Sequence, residues 1–297
     1  MWEEILAIGP ISMLVRAQRY PNSRKRNWGS VPKLLAILLI SVTIPAAPAV
    51  DPSREHVIKI VAQIQRADYE GDRAALKRLY GELTPFAQSN ELASSVRYWR
   101  GFALWRRAMN GFNESVDAKE LGEDLKQALD EFNEAGKNDP GFSDAKIGAL
   151  SCASILAFSI NQDNPARQQE LIAQGRQLLK DVQAKDPENP RLLWVLGPNL
   201  WYSPPERGGG QARAMELYEK GLEAIRKHKT SASDPLEPSW GEPELLMNLA
   251  WSNLNRTTPD LKAAEQYAHS ALELVPYWHY VKDILMPQIQ QAKMKPH

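Results

Sequence analysis

Few residues in this chain could carry chemistry, and their spacing excludes more than it offers. The five histidines, His56, His228, His269, His279 and His297, are scattered, with no H-E-x-x-H and no His/carboxylate spacing suited to a metal. No G-x-S-x-G occurs, so the common serine-hydrolase elbow is absent. Cys152 is the single cysteine, which rules out an internal disulfide and a cysteine zinc site. It lies in the apolar run 147–158 and reads as a small buried hydrophobe. One loop is suggestive, Ser203-Pro-Pro-Glu-Arg-Gly-Gly-Gly-Gln211. A glycine run entering a helix can cradle a phosphate on its backbone N–H groups. A P-loop continues into lysine and a hydroxyl residue, whereas Gln211-Ala212 follows here and no strand precedes. A tight turn between helices is the leading reading, ahead of a ligand-contacting loop and a phosphate site. No catalytic residue, metal or cofactor is expected.

The elements that would position any site repeat a short register. Ala128, Phe132, Ala135 and Pro140 stand at offsets of four, seven and twelve from the first. Gly175, Leu179, Val182 and Pro187 repeat those offsets, as do Ala264, Ala268, Ala271 and Pro276, and Ala214, Tyr218 and Gly221 give a copy without the proline. Offsets of four and seven place small or apolar residues on one helix face. Small residues there admit a partner helix closely, and the proline ends the helix. The chain after residue 51 reads as five helix pairs: 52–67 with 74–83, 93–109 with 121–135, 143–160 with 167–184, 191–202 with 211–225, and 244–253 with 261–274. A capping helix over 278–293 follows, which Pro287 must start, kink or split. Gly111 is expected to break the third helix. The Pro/Ser-rich stretch 229–242, TSASDPLEPSWGEP, is the longest interruption. No segment alternates with period two, so no strand is expected.

This register resembles the second helix of the tetratricopeptide repeat, whose pattern ends in A-x3-F…P. Leu193-x2-Leu196-Gly197-x2-Leu200 carries the family's first-helix pattern with leucines for both aromatics, and Asn248-Leu249-Ala250 carries it more weakly. The register starts at 128, 175, 214 and 264, wider than the family's spacing of about 34 residues, so the repeats are irregular. The resemblance implies an all-α, right-handed superhelical α-solenoid of about five such pairs plus the C-terminal cap, stacked because no pair buries its apolar face alone. It also implies that the first helix of each pair lines a concave groove, at offsets of minus three, plus one and plus four from the glycine. Around Gly101 these are Tyr98, Phe102 and Trp105; around Gly197, Trp194, Pro198 and Trp201; around Ala250, Met247, Trp251 and Leu254. All but two of the nine tryptophans follow residue 50. The candidate groove residues are therefore Tyr98, Phe102, Trp105, Trp194, Trp201, Met247 and Trp251, which either face a partner or pack between pairs. Arg97, Arg100, Arg106 and Arg107 would form a basic edge, either solvated or facing an acidic partner tail.

The charge balance is 36 Lys+Arg against 36 Asp+Glu, but the basic residues Arg16, Arg19, Arg24, Lys25, Arg26 and Lys33 crowd the first fifty positions. The rest is mildly acidic and carries no basic stripe, so nucleic acid is not an expected partner. The run 34–44, LLAILLISVTI, follows the basic stretch and precedes Ala47-Pro48-Ala49. That is the layout of a secretory signal peptide, with cleavage expected after Ala49. An uncleaved N-terminal anchor is the alternative, although the run is short for a bilayer span. Either Met1 or Met13 could be the start. Residues 1–49 thus read as extension and signal peptide, and 50–297 as the repeat domain of a periplasmic or secreted protein. Without catalytic spacing, the expected function is a scaffold binding a protein or peptide on its concave face. The alternative is a periplasmic accessory of a solute uptake system that holds a small organic ligand in an aromatic cavity.

Overall fold

The computed structural model describes residues 52–89, 91–160, 164–228 and 234–294. The expected signal peptide and its cleavage after Ala49 lie outside the described residues. Among the described residues eleven α-helices form, in chain order α1 (Pro52–Glu70), α2 (Arg73–Glu82), α3 (Ala93–Asn113), α4 (Ala118–Asn138), α5 (Ser143–Ile155), α6 (Pro165–Lys185), α7 (Pro190–Tyr202), α8 (Gln211–His228), α9 (Glu242–Asn255), α10 (Leu261–Leu274) and α11 (Met286–Met294). No strand occurs among the described residues.

Local chemistry sets most helix starts. The side chains of Asp72, Asp117, Asn164, Asn189 and Asp260 each accept a hydrogen bond from a first-turn backbone N–H. Prolines in the first turns of α6, α7 and α9 lack the N–H that would otherwise go unpaired there. Consecutive helices pack antiparallel as pairs, and α1, α3, α5, α7 and α9 also touch in succession, so the first helices of the pairs share one layer. This is the all-α solenoid the register predicts.

The register itself is buried. Ala128, Ala135, Ala214, Ala264, Ala268 and Ala271 are all at 0% exposure. Its two aromatic members, Phe132 and Tyr218, each settle on a glycine of a first helix. A Cβ built on Gly197 would lie 2.0 Å from Tyr218, and one on Gly148 would lie 2.5 Å from Phe132. These close approaches explain the alternation of small and aromatic residues at fixed offsets.

One element differs from expectation, and one takes a form the sequence left open. Helix α3 continues through Gly111, because that glycine serves packing rather than termination: a Cβ there would meet Leu121 at 2.6 Å. The chain leaves the helix at Ser115, which adopts a left-handed φ of 56°. The last segment is split, with a π-helical stretch Tyr280–Leu285 handing over to α11 just before Pro287. Among the described residues, Ser143–Ile160 is the one helix long and apolar enough to cross a membrane. Of that window 61% is buried against the rest of the molecule, as in a core helix.

Candidate binding site under the 234–241 segment

The inner layer of first helices is not open. Residues 234–241, the second half of the long Pro/Ser-rich interruption, lie across it and are tied to three helices. From α3, the Trp99 indole N–H donates to the Leu236 carbonyl at 2.8 Å. Tyr98 Oη accepts from the Trp240 indole N–H at 2.8 Å. From α1, Gln65 Nε2 donates to Ser239 Oγ at 2.9 Å, and Arg54 pairs with Asp234. From α7, Arg191 Nη1 donates to the Trp240 carbonyl at 3.2 Å. Gly241, with φ of 133°, then turns the chain into α9, a conformation side-chain-bearing residues rarely adopt. Its N–H donates to Glu244 Oε2 at 2.8 Å, which closes the helix start.

Trp240 is the centre of this arrangement. Its ring lies 5.8 Å from Phe102, 5.5 Å from Trp105 and 5.6 Å from Trp194, centroid to centroid. Trp105 and Trp194 also meet, at 5.9 Å. The structure therefore brings Tyr98, Phe102, Trp105 and Trp194 into one cluster, buried beneath the segment, whereas Trp201, which has the same offset as Trp105, is not part of it. Trp201 lies apart, paired with Trp251 at 5.2 Å. Met247 is buried on α9, and Trp251 is half-buried. Among the described residues, the indole N–H groups of Trp105 and Trp194 are buried without a hydrogen-bond partner.

A cavity of about 160 Å³ remains between the segment and helices α1 and α3, lined by Gln65, Asp68, Tyr69, Phe102, Ser239 and Trp240. Behind it stands a buried polar network. Asp68 accepts from Arg106 Nε at 2.7 Å and from Asn110 Nδ2 at 3.2 Å, and the Tyr69 hydroxyl donates to Glu244 Oε1 at 2.8 Å. Burial raises the Glu244 carboxyl above its ordinary range, against the opposing pull of Arg106. Burial, followed by the charges of Glu244 and Asp68, raises the Tyr69 phenol well above its usual value.

The other candidates of the sequence resolve into structure. The four arginines of α3 do not form a basic edge, because their charges are met inside the molecule. Arg97 and Arg100 both reach Glu131, at 2.9 and 2.8 Å. Arg106 pairs with Asp68, and Arg107 pairs with Asp124 and Glu120. The glycine run is a turn. The N–H groups of Gly208, Gly209 and Gly210 donate to the carbonyls of Pro205, Pro204 and Leu200, which leaves none to hold a phosphate. Gly208 and Gly210 take φ of 78° and 107°, and a Cβ on Gly209 would lie 2.4 Å from the Ser203 carbonyl oxygen. Cys152 is fully buried, and burial raises its thiol well above the usual range. His279 pairs with Asp283, and His56 stacks near Phe86. His297 lies outside the described residues. No group of three metal-ligating residue types comes together among the described residues.

Sequence reasoning missed the segment 234–241. The available signal was Trp240 itself, a large apolar residue stranded in a polar, proline-rich loop.

No protein-family model matches this chain, and no curated protein sequence matches it. Among solved structures, the HusA haemophore from Porphyromonas gingivalis is similar, with a TM-score of 0.51 and 18% identity over 69% of this chain and 96% of that one. That likeness lies in the all-helical fold.

Proposed function

We propose that this protein is an exported, non-catalytic scaffold of tetratricopeptide type, and that it binds a small organic ligand in the cavity beneath the 234–241 segment. One observation carries the reading: the segment covers the aromatic layer and leaves a small, partly open space lined by Tyr69, Phe102 and Trp240 in place of an open peptide groove. Export rests on the basic-apolar leader ending at Ala47-Pro48-Ala49. The similar fold of a haemophore, by its name a binding protein, supports a role without catalysis. A solute-binding accessory of an uptake system fits this reading. The space itself is close to the roughly 150 Å³ that holds benzene in an engineered core. A porphyrin would enter only if the segment moved.

Native mass spectrometry of the protein recovered from its envelope fraction tests this. A retained small molecule, lost on replacing Ser239 with Leu at the cavity's exposed edge, is the expected result. Titration with hemin is a parallel arm. A Soret shift with tight binding would mean the segment lifts to admit a large planar ligand.

A peptide or protein partner on the concave face is the second reading. The segment is itself an extended polypeptide seated on that face, and the free indole N–H groups of Trp105 and Trp194 would suit partner carbonyls. Capture of a partner only by a variant lacking the Trp240 side chain would favour it.

A further inference from the structure

The geometry points to a ligand class for this cavity: a small organic cation of the quaternary ammonium type, held among Tyr69, Phe102 and Trp240 beside the Asp68 carboxylate. The inference rests on the small-ligand reading above and deepens it. Three observations carry it.

The first is the wall. Three aromatic rings from two separate elements and the crossing segment border one space, with a carboxylate among them. Aromatic faces attract cations through their quadrupoles, and cages of this composition recognise alkylated ammonium groups.

The second is the state of the polar groups. Every buried polar side chain of the lining already has a partner. Asp68 is held by Arg106 and Asn110, the Tyr69 hydroxyl is given to Glu244, and the Trp240 indole N–H is given to Tyr98. A ligand head bearing N–H or O–H groups would lose its bonds to water and find few replacements. A quaternary ammonium has no donor to satisfy. Only Gln65 and Ser239, bonded to each other at the more exposed edge, remain for a polar tail.

The third is the local charge. The cations near the space are each matched: Arg54 by Asp234, Arg106 by Asp68, and Arg191 by Asp144. Arg106 also lies 5.9 Å from the Phe102 ring, so its charge must be counted, and Asp68 meets it. Glu244, fully buried behind Tyr69, is one carboxylate in excess of these pairs. Burial favours the proton on that carboxyl, so an entering cation would favour its ionised form, whereas a carboxylate or phosphate ligand would oppose it.

The experiment uses the purified mature protein and three probes: tetramethylammonium, choline and the neutral choline isostere 3,3-dimethylbutan-1-ol. Binding is followed by calorimetry and by tryptophan fluorescence, to which Trp240 and its neighbours Trp105 and Trp194 contribute. Both cations should bind saturably, and the neutral isostere should bind about tenfold more weakly or worse, the scale of a desolvated cation–π cage. Glu244→Gln keeps the shape and removes the charge, so it should weaken the cations while leaving the isostere unchanged. Ser239→Leu, at an exposed position and with its melting temperature checked against the parent, should abolish binding of all three. Equal affinity for cation and isostere would overturn the cation assignment and leave the small-ligand reading standing. So would failure of all three probes while native mass spectrometry still finds another retained molecule. No probe bound and no molecule retained would overturn both.

Discussion

Gly197→Ala should destabilise the protein, and the structure sets its size. Gly197 sits inside α7, where the added methyl would lie 2.0 Å from Tyr218 Cε1 and 2.2 Å from its Cζ. The ring has no room to withdraw. Tyr218 is buried at 3% exposure, and its hydroxyl bonds to Asn248. Overpacking at such a point costs about 3 kcal/mol, the upper part of the usual range. Alanine also returns up to about 1 kcal/mol by its better helix propensity. The net loss is about 2 kcal/mol, a fall of about 4–8 °C in Tm for a domain of this size. Gly136 provides the matched control. It lies in α4 with nothing within 4 Å of an added Cβ, so Gly136→Ala receives the propensity gain alone, about 0.5–1 kcal/mol of stabilisation. Thermal and urea unfolding of both variants, followed by far-ultraviolet circular dichroism, measures the pair. If Gly197→Ala matches or exceeds the parent while Gly136→Ala behaves as stated, α7 and α8 do not approach as described and the register argument fails.

Three further outcomes follow from the same packing. Ala264→Leu places a larger side chain at a fully buried helix contact and should cost about 1–3 kcal/mol in urea unfolding, whereas an unchanged midpoint would refute the close contact. Trp240→Ala should cost about 3–5 kcal/mol as a buried-tryptophan truncation, and should speed hydrogen exchange at the Leu236 and Gly241 amides. A variant as stable as the parent would show that the segment does not rest on the cluster. Glu244 has a raised pKa in the folded state, so the native state holds its proton more tightly than the unfolded chain does. Its stabilising contribution is therefore full below the ordinary glutamate value and is lost as pH rises through the raised one. Glu244→Gln should flatten the decline in stability over that window, as read from urea midpoints at successive pH values, and an unaltered slope would assign the decline elsewhere.

How far the chain could be read from its residues depended on the range of the interactions involved. The register Ala128, Phe132, Ala135 was legible because a helix face is a local property, fixed by offsets of four and seven. Helix starts were legible to within a few residues: α10 begins at Leu261 as expected, whereas α4 begins at Ala118, ahead of the expected 121, because Asp117 caps it there. Gly111 was misread because a glycine that breaks a helix and one that admits Leu121 look the same in sequence, and only the neighbour decides between them. The arginines of α3 were misread for a similar reason. Their carboxylate partners lie on other helices, Asp68 on α1 and Glu131 on α4, and no local spacing announces such pairs. The offsets put Trp201 at the same register position as Trp105, yet Trp201 pairs with Trp251 apart from Trp105 and Trp194, and no offset could show that a loop with no periodicity of its own would cover Tyr98, Phe102, Trp105 and Trp194.

That loop covers the inner layer of first helices. Trp99, Tyr98, Gln65, Arg54 and Arg191 hold residues 234–241 by side chains from three helices, so the segment is anchored along its length rather than at its ends. Removing it would expose an aromatic cluster whose burial contributes several kcal/mol, at about 25 cal/mol per Å² of apolar surface. A peptide competitor must replace all of that before gaining affinity. A small ligand entering beside Trp240 need only fill space the segment leaves empty. Of the residues expected to line an open groove, Tyr98, Phe102, Trp105 and Trp194 are thus buried beneath one proline-containing segment, and Phe102 borders the small space it leaves.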